Sequence, residues 1–103
     1  MIAFGLDATD LEDAARTPEA LLHVQFTGHE SGFRGGDYYR ADTPVGALLP
    51  QRNFDPVDSE TFENEWPADR LILYLDGTED DTWSVVVETL TSAGTIRLSR
   101  LGL

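Results

Sequence analysis

The chain has 103 residues, 41% of them hydrophobic, and carries 19 acids against 7 bases for a formal net charge of −12 at pH 7. This length suits one ordinary core, so a single domain spanning residues 1–103 is expected. The absence of cysteine excludes disulfides, thiolate metal sites, iron-sulfur clusters and thiol nucleophiles, and the acidity argues against direct binding of nucleic acid or anionic membranes through their phosphates.

All seven bases are arginine (Arg16, Arg34, Arg40, Arg52, Arg70, Arg97 and Arg100) and there is no lysine. A basic partner complements such a field, but an acid-rich, lysine-free surface also keeps proteins soluble in concentrated salt. No apolar run approaches the ~20 residues of a membrane span. The apolar start, Met1 to Leu6, lacks a basic flank and is followed by Asp7, Asp10, Glu12 and Asp13, the wrong sign for a signal peptide. A cytoplasmic location is the expectation.

Ile2, Phe4 and Leu6 alternate with Ala3 and Gly5, which predicts a short opening strand. Thr9 with Glu12 has the form of a capping box, and Leu11, Ala14 and Ala15 predict a helix near residues 10–16. Thr17-Pro18-Glu19 is read either as the cap of a second helix or as a turn into a strand. Leu22, Val24 and Phe26 alternate with Leu21, His23 and Gln25, predicting a strand over 20–27 with His23 outward. Gly28, Gly32, Gly35 and Gly36 mark a loop, and Asp37 to Asp42 reads as the next strand.

Four prolines (Pro44, Pro50, Pro56 and Pro67) make residues 43–69 the irregular middle, with at most one helical turn holding Phe62 and Trp66 under a Ser59 cap. Leu71 to Leu75 reads as a central strand, Trp83, Val85 and Val87 as a second, and Thr95 to Leu101 as a third, forming a C-terminal meander. The predicted fold is α+β: an antiparallel sheet of about four to six strands with one or two short helices.

Little in the sequence suggests catalysis. Asp76-Gly77-Thr78-Glu79-Asp80-Asp81 lacks the spacing of a calcium loop, so a polar turn is expected there. His23, His29 and Glu30 are the only imidazole cluster, without a metal-binding spacing, and the glycine loop has no phosphate-binding signature. Ser84, Ser92 and Ser99 have no nucleophile-elbow context. No cofactor or metal is implied.

The segment from Asp55 to Asp69 stands out. It holds six acids (Asp55, Asp58, Glu60, Glu63, Glu65 and Asp69) and no base, interleaved with Phe62 and Trp66 and preceded by Phe54. With a Debye length of about 8 Å in physiological salt, a partner feels such a local cluster before the net charge. Rings set among acids also provide desolvated anchors within a steering rim. Size, acidity and this segment make the chain similar in character to small inhibitors such as toxin-immunity proteins and charge mimics of nucleic acid. The expected function is therefore a non-enzymatic binding protein that docks on a basic groove of a protein partner, such as a toxin or a nucleic-acid-binding protein, through Asp58, Glu60, Phe62, Glu63, Glu65 and Trp66. The alternatives are an accessory or structural domain of a salt-adapted cell, acidic only for solubility, and a small metal-dependent enzyme built on His23 and His29. The sequence leaves the oligomeric state open.

Overall fold

The computed structural model describes residues 2–6, 10–31, 36–44, 46–77, 83–92 and 98–101. These form an α+β fold with six strands: β1 (Ile2–Leu6), β2 (Thr27–Ser31), β3 (Gly36–Thr43), β4 (Gly46–Arg52), β5 (Leu71–Gly77) and β6 (Leu98–Arg100). Two helices, α1 (Leu11–Leu22) and α2 (Ser84–Ser92), complete the element list. The sheet order is β2-β3-β4-β5-β1-β6, and every pairing is antiparallel.

The strand registers divide the sheet's side chains between two faces. Ile2 lies opposite Leu75, Phe4 opposite Leu73 and Leu6 opposite Leu71, while Leu48 pairs with both Leu75 and Ala41. All of these share a core cluster with Leu11 and Ala14 of α1, Leu90 of α2 and the adjacent Trp83. This is the helix-covered face. By alternation, Ala3, Gly5, Leu49, Gln51, Ile72 and Tyr74 belong to the opposite face, where Leu49, Gln51 and Ile72 are nonetheless buried. Their cover is the segment between β4 and β5, because the Trp66 indole lies directly on Gly5 and Tyr74 bonds Glu63.

Several elements differ from the sequence expectation, each for a physical reason. The cap of α1 is Asp10, whose Oδ1 accepts from the N–H groups of Glu12 and Asp13 at 3.0 and 3.4 Å. The helix does not stop near residue 16; it runs 12 residues with Pro18 inside it. Leu11, Ala14, Ala15, Pro18, Leu21 and Leu22 continue one helical stripe, and the first four are buried. Burial of this stripe outweighs the roughly 3 kcal/mol an interior proline costs. The strand expected over 20–27 is therefore absent. His23 closes α1 in the left-handed conformation (φ 53°), and the chain enters β2 with the Phe26 N–H donating to Glu19 Oε2 at 2.9 Å.

Residues 43–69 are not irregular throughout, since β4 occupies 46–52 and takes Pro50 into a central strand. The hairpin into it is fixed at Gly46, whose φ of 141° and close approach to the Asp76 carbonyl leave no place for a side chain. The expected helical turn under Ser59 does not form. Ser59 itself is left-handed (φ 56°), and Phe62 to Trp66 form turns closed by the Trp66 N–H donating to the Glu63 carbonyl at 3.2 Å.

The C-terminal meander is replaced by a strand, a helix and a strand. Residues 84–92 are α2, and β6 pairs with β1 rather than with a sequence neighbour. Trp83, Val86, Val87 and Leu90 form the helical stripe facing the core, whereas Val85, assigned inward by strict alternation, is 70% exposed. Thr89 and Thr91 donate their hydroxyls to the carbonyls of Val85 and Val87 at 2.8 and 2.9 Å, absorbing their polar groups within the helix. The opening strand, the 37–42 strand and the Leu71–Leu75 strand form as the sequence predicts. The turn expected at Asp76-Gly77 begins inside β5, and residues 78–82 lie outside the described set, as does the glycine loop at 32–35.

Candidate functional site

The acid-rich segment is a loop whose two ends meet. The Asn53 N–H donates to the Arg70 carbonyl at 3.1 Å, so residues 53 and 70 close the base. Asn53 is fully buried, and its side chain organises what lies above it. Its Nδ2 shares two protons among the carbonyls of Glu63 (3.0 Å), Trp66 (2.8 Å) and Pro67 (3.2 Å), while its Oδ1 accepts from the Glu63 N–H at 2.8 Å. A chain reversal in the loop is thereby tied to the end of β4 by one amide that uses both its donor and acceptor capacity.

The near arm of the loop is a small ladder. Asp55 and Glu60 exchange both backbone bonds, at 2.7 and 3.3 Å, and Asp55 Oδ1 accepts from the Val57 N–H at 2.9 Å. The tip between them carries Val57, 77% exposed, and the exposed Asp58. Thr61 donates to Asn64 Oδ1 at 2.7 Å in the far arm. Compact loops of this kind, closed at the base and packed by their own side chains, hold a definite surface without regular secondary structure.

The six residues singled out from the sequence fall into two groups. Asp58, Glu60 and Glu65 are exposed, and Asp58 and Glu60 make no ion pair among the described residues. Phe62, Glu63 and Trp66 are half-buried. Glu63 accepts a hydrogen bond from the Tyr74 hydroxyl at 2.9 Å, and Trp66 packs on Gly5 with its buried Nε1 lacking a hydrogen-bond partner among the described residues. These two side chains hold the loop to the sheet. The exposed apolar surface comes instead from Val57 and from Phe54, 38% exposed, a pair that composition alone did not single out from the surrounding aromatics.

A second concavity was not evident from the sequence. An open groove of about 780 Å³ lies on the helix-covered side, between the start of α1 and the β2–β3 hairpin. Asp10 and Glu12 line it from the helix, Glu30 and Asp37 from the hairpin, and among the described lining residues Arg52 and His29 are the basic side chains. Glu30 and Asp37 are register partners across β2 and β3, so only the pairing brings these carboxylates together. A shallower depression continues from Glu30, Asp37 and Arg52 to Phe54 and Pro56 at the foot of the loop. The groove and the loop thus share one border.

The remaining sequence candidates are dispersed. His23 closes α1, while His29 stacks on Tyr38 with ring centroids 5.4 Å apart. Among the described residues, no group of three or more histidine, aspartate or glutamate side chains could hold a metal ion. Tyr39 turns toward the core and lies over Gly28, so the two adjacent tyrosines take opposite faces as alternation requires. No helix among the described residues is long and apolar enough to cross a membrane. Comparison with protein-family models, curated proteins and solved structures finds no match.

Proposed function

We propose that this chain is a non-enzymatic acidic binding protein that docks on a basic groove of a protein partner, in the manner of an immunity protein or a nucleic-acid mimic. The observation that carries this reading is the loop held by Asn53: four side-chain hydrogen bonds fix a segment whose outer surface is carboxylate and apolar. A surface serving solubility alone has no need of a fixed geometry. Asp58, Glu60 and Glu65 steer and pair with arginine or lysine, Phe62 contributes apolar contact, and Glu63 and Trp66 position the rest. Val57 and Phe54 extend the apolar contact.

The test begins with low-salt capture of basic proteins on the immobilised chain, followed by affinity measurements on each captured protein. Replacing Asp58, Glu60 and Glu65 together by Asn, Gln and Gln is expected to weaken binding about tenfold or more, chiefly through a slower association rate. An affinity unchanged by that triple substitution sinks the proposal.

A second reading is favoured by a separate observation. Exposed carboxylates stand on α1 (Glu12, Asp13, Glu19), β2 (Glu30), β3 (Asp37, Asp42), β5 (Asp76) and α2 (Glu88) as well as on the loop. A distribution over so many elements is what solubility in concentrated salt requires. If that is the role, the thermal midpoint rises steadily as potassium chloride increases into the molar range, and the protein is poorly folded at low salt. A protein well folded at low salt, with a midpoint that barely moves, removes this reading.

A further inference from the structure

We infer that β2 is a docking edge on which an extended basic segment of the partner adds as a further strand, sending alternate arginine or lysine side chains into the groove beside α1. This deepens the proposed function and rests on it: the same basic partner is meant, and β2 with the groove is a second contact continuous with the loop.

Among the described residues β2 has a strand neighbour on one side only, because the sheet begins with it. Its residues 27–30 are exposed and Ser31 is half-buried. The usual guards against strand addition are few: β2 contains neither proline nor lysine, and Glu30 is its single charged residue. An edge strand presents outward-facing backbone groups that an extended segment can satisfy, which makes main-chain pairing the source of affinity and alternate side chains the source of selectivity.

Charge decides the occupant. On the groove side, alternation aligns Gly28 and Glu30 with Tyr39 and Asp37 of β3, and the start of α1 supplies Asp10 and Glu12. Asp10 is engaged in capping α1 and Glu12 lies 3.8 Å from Arg16, so Glu30 and Asp37 are the carboxylates that face an incoming segment there. Arg52 donates to the Asp37 carbonyl at 3.5 Å, and among the described residues it makes no ion pair with Glu30 or Asp37. An added strand lies about 4.8 Å beyond β2, so every second side chain of it projects over the groove within reach of Glu30. A second copy of this chain is a poor occupant, because each brings a charge of −12. A basic segment meets both demands.

The test follows backbone amide resonances of the full chain during titration with a short peptide alternating arginine and valine. Three companions complete it: the same peptide with glutamate for arginine, the arginine peptide N-methylated at alternate residues in each of the two possible registers, and a salt series. The expected result is saturable shifts and slowed amide exchange over 27–31 with the arginine peptide and with one of its two N-methylated registers only, and none with the glutamate peptide. The double variant Glu30→Gln with Asp37→Asn, whose side chains make no hydrogen bond among the described residues, should bind about fivefold or more weakly, while Asp58→Asn with Glu60→Gln loses less than about twofold. Equal binding of the N-methylated peptide in both methylation registers overturns strand addition. Shifts confined to 54–66, with the loop variant the weaker binder, overturn the docking edge and leave the proposed function standing. No binding of the arginine peptide even at low salt overturns the docking edge, and the affinity of captured basic proteins for the Asp58, Glu60 and Glu65 variant then decides the proposed function separately.

Discussion

The two faces of the sheet are covered by different means. On one, α1 and α2 lay apolar stripes on Ile2, Phe4, Leu6, Leu48, Leu71, Leu73 and Leu75, and the cohesion is area removed from water. On the other, an irregular loop covers Leu49 and Ile72 and is held by directional contacts: the Asn53 amide, the Trp66 ring on Gly5 and the Tyr74 hydroxyl on Glu63. Burial by helices tolerates exchange of one apolar group for another of similar volume, since no single atom must meet a single partner. A hydrogen-bonded cover has no such latitude, because removing one partner strands the others in a water-poor interior. The acidic loop of this protein is mounted on the less tolerant face.

That contrast predicts where the molecule breaks first. Asn53→Ala removes both the donors and the acceptor that bind residues 63, 66 and 67. With a net loss of about 1 kcal/mol for each hydrogen bond and some recovery by water, a destabilisation of about 3 kcal/mol is expected. For a chain of this size that corresponds to a drop in thermal midpoint of roughly 12–24 °C. Asn53→Asp, nearly isosteric, sets oxygen against three carbonyls and should cost at least as much. On the helix face, Leu90→Met keeps volume and character, and its expected cost stays below about 1.5 kcal/mol. If calorimetry finds the order reversed, the distinction between the two covers is wrong.

The next effect in size isolates one contact. A Cβ on Gly5 would sit inside the Trp66 indole, so Gly5→Ala must displace the ring. An overpacking cost of about 2 kcal/mol is expected. In a Trp66→Ala background the same substitution should be neutral or mildly favourable, because the added methyl meets open space and alanine loses less backbone entropy than glycine. A coupling near zero in that double-mutant cycle means the ring is not held against the strand.

The elements readable from the sequence are those whose apolar period had one interpretation. Ile2, Phe4 and Leu6 alternate cleanly, and Leu71 to Leu75 is a run suited only to a doubly covered strand, so β1 and β5 were predictable. Val85, Val86 and Val87 satisfy both a period of two and one of 3.6; what separates them is the exposure of Val85, which belongs to the tertiary structure. Pro18 and Pro50 mislead in the same way, as each carries a local penalty that burial in a larger element overrides. Of the candidate surface, the acids were visible as composition. The division of labour between exposed Asp58 and positioning Trp66 was not, because it depends on Gly5, some sixty positions away in the chain and adjacent only through β1. Asn53 has no local signature at all, since its partners lie 10 to 14 residues downstream.

The smallest effect sharpens the comparison most. Tyr74→Phe removes only the hydroxyl that donates to Glu63 Oε1 at 2.9 Å, on a half-buried ring that otherwise stays in place. The bond is to a carboxylate but near solvent, so its loss should cost about 1 kcal/mol and lower the thermal midpoint by about 4–8 °C. The more telling readout is amide exchange along the loop. If Asn53 holds the base and Tyr74 the crest, the variant accelerates exchange at residues 61–66 while the Asn53 and Arg70 amides keep their protection. Uniform acceleration from 53 to 70 means instead that the loop opens as one unit with Tyr74 as its latch. In that case the geometry of Asp58, Glu60 and Glu65 is set by a contact on β5, and a partner that recognises those carboxylates loses affinity when the hydroxyl is removed, though it touches none of the atoms involved.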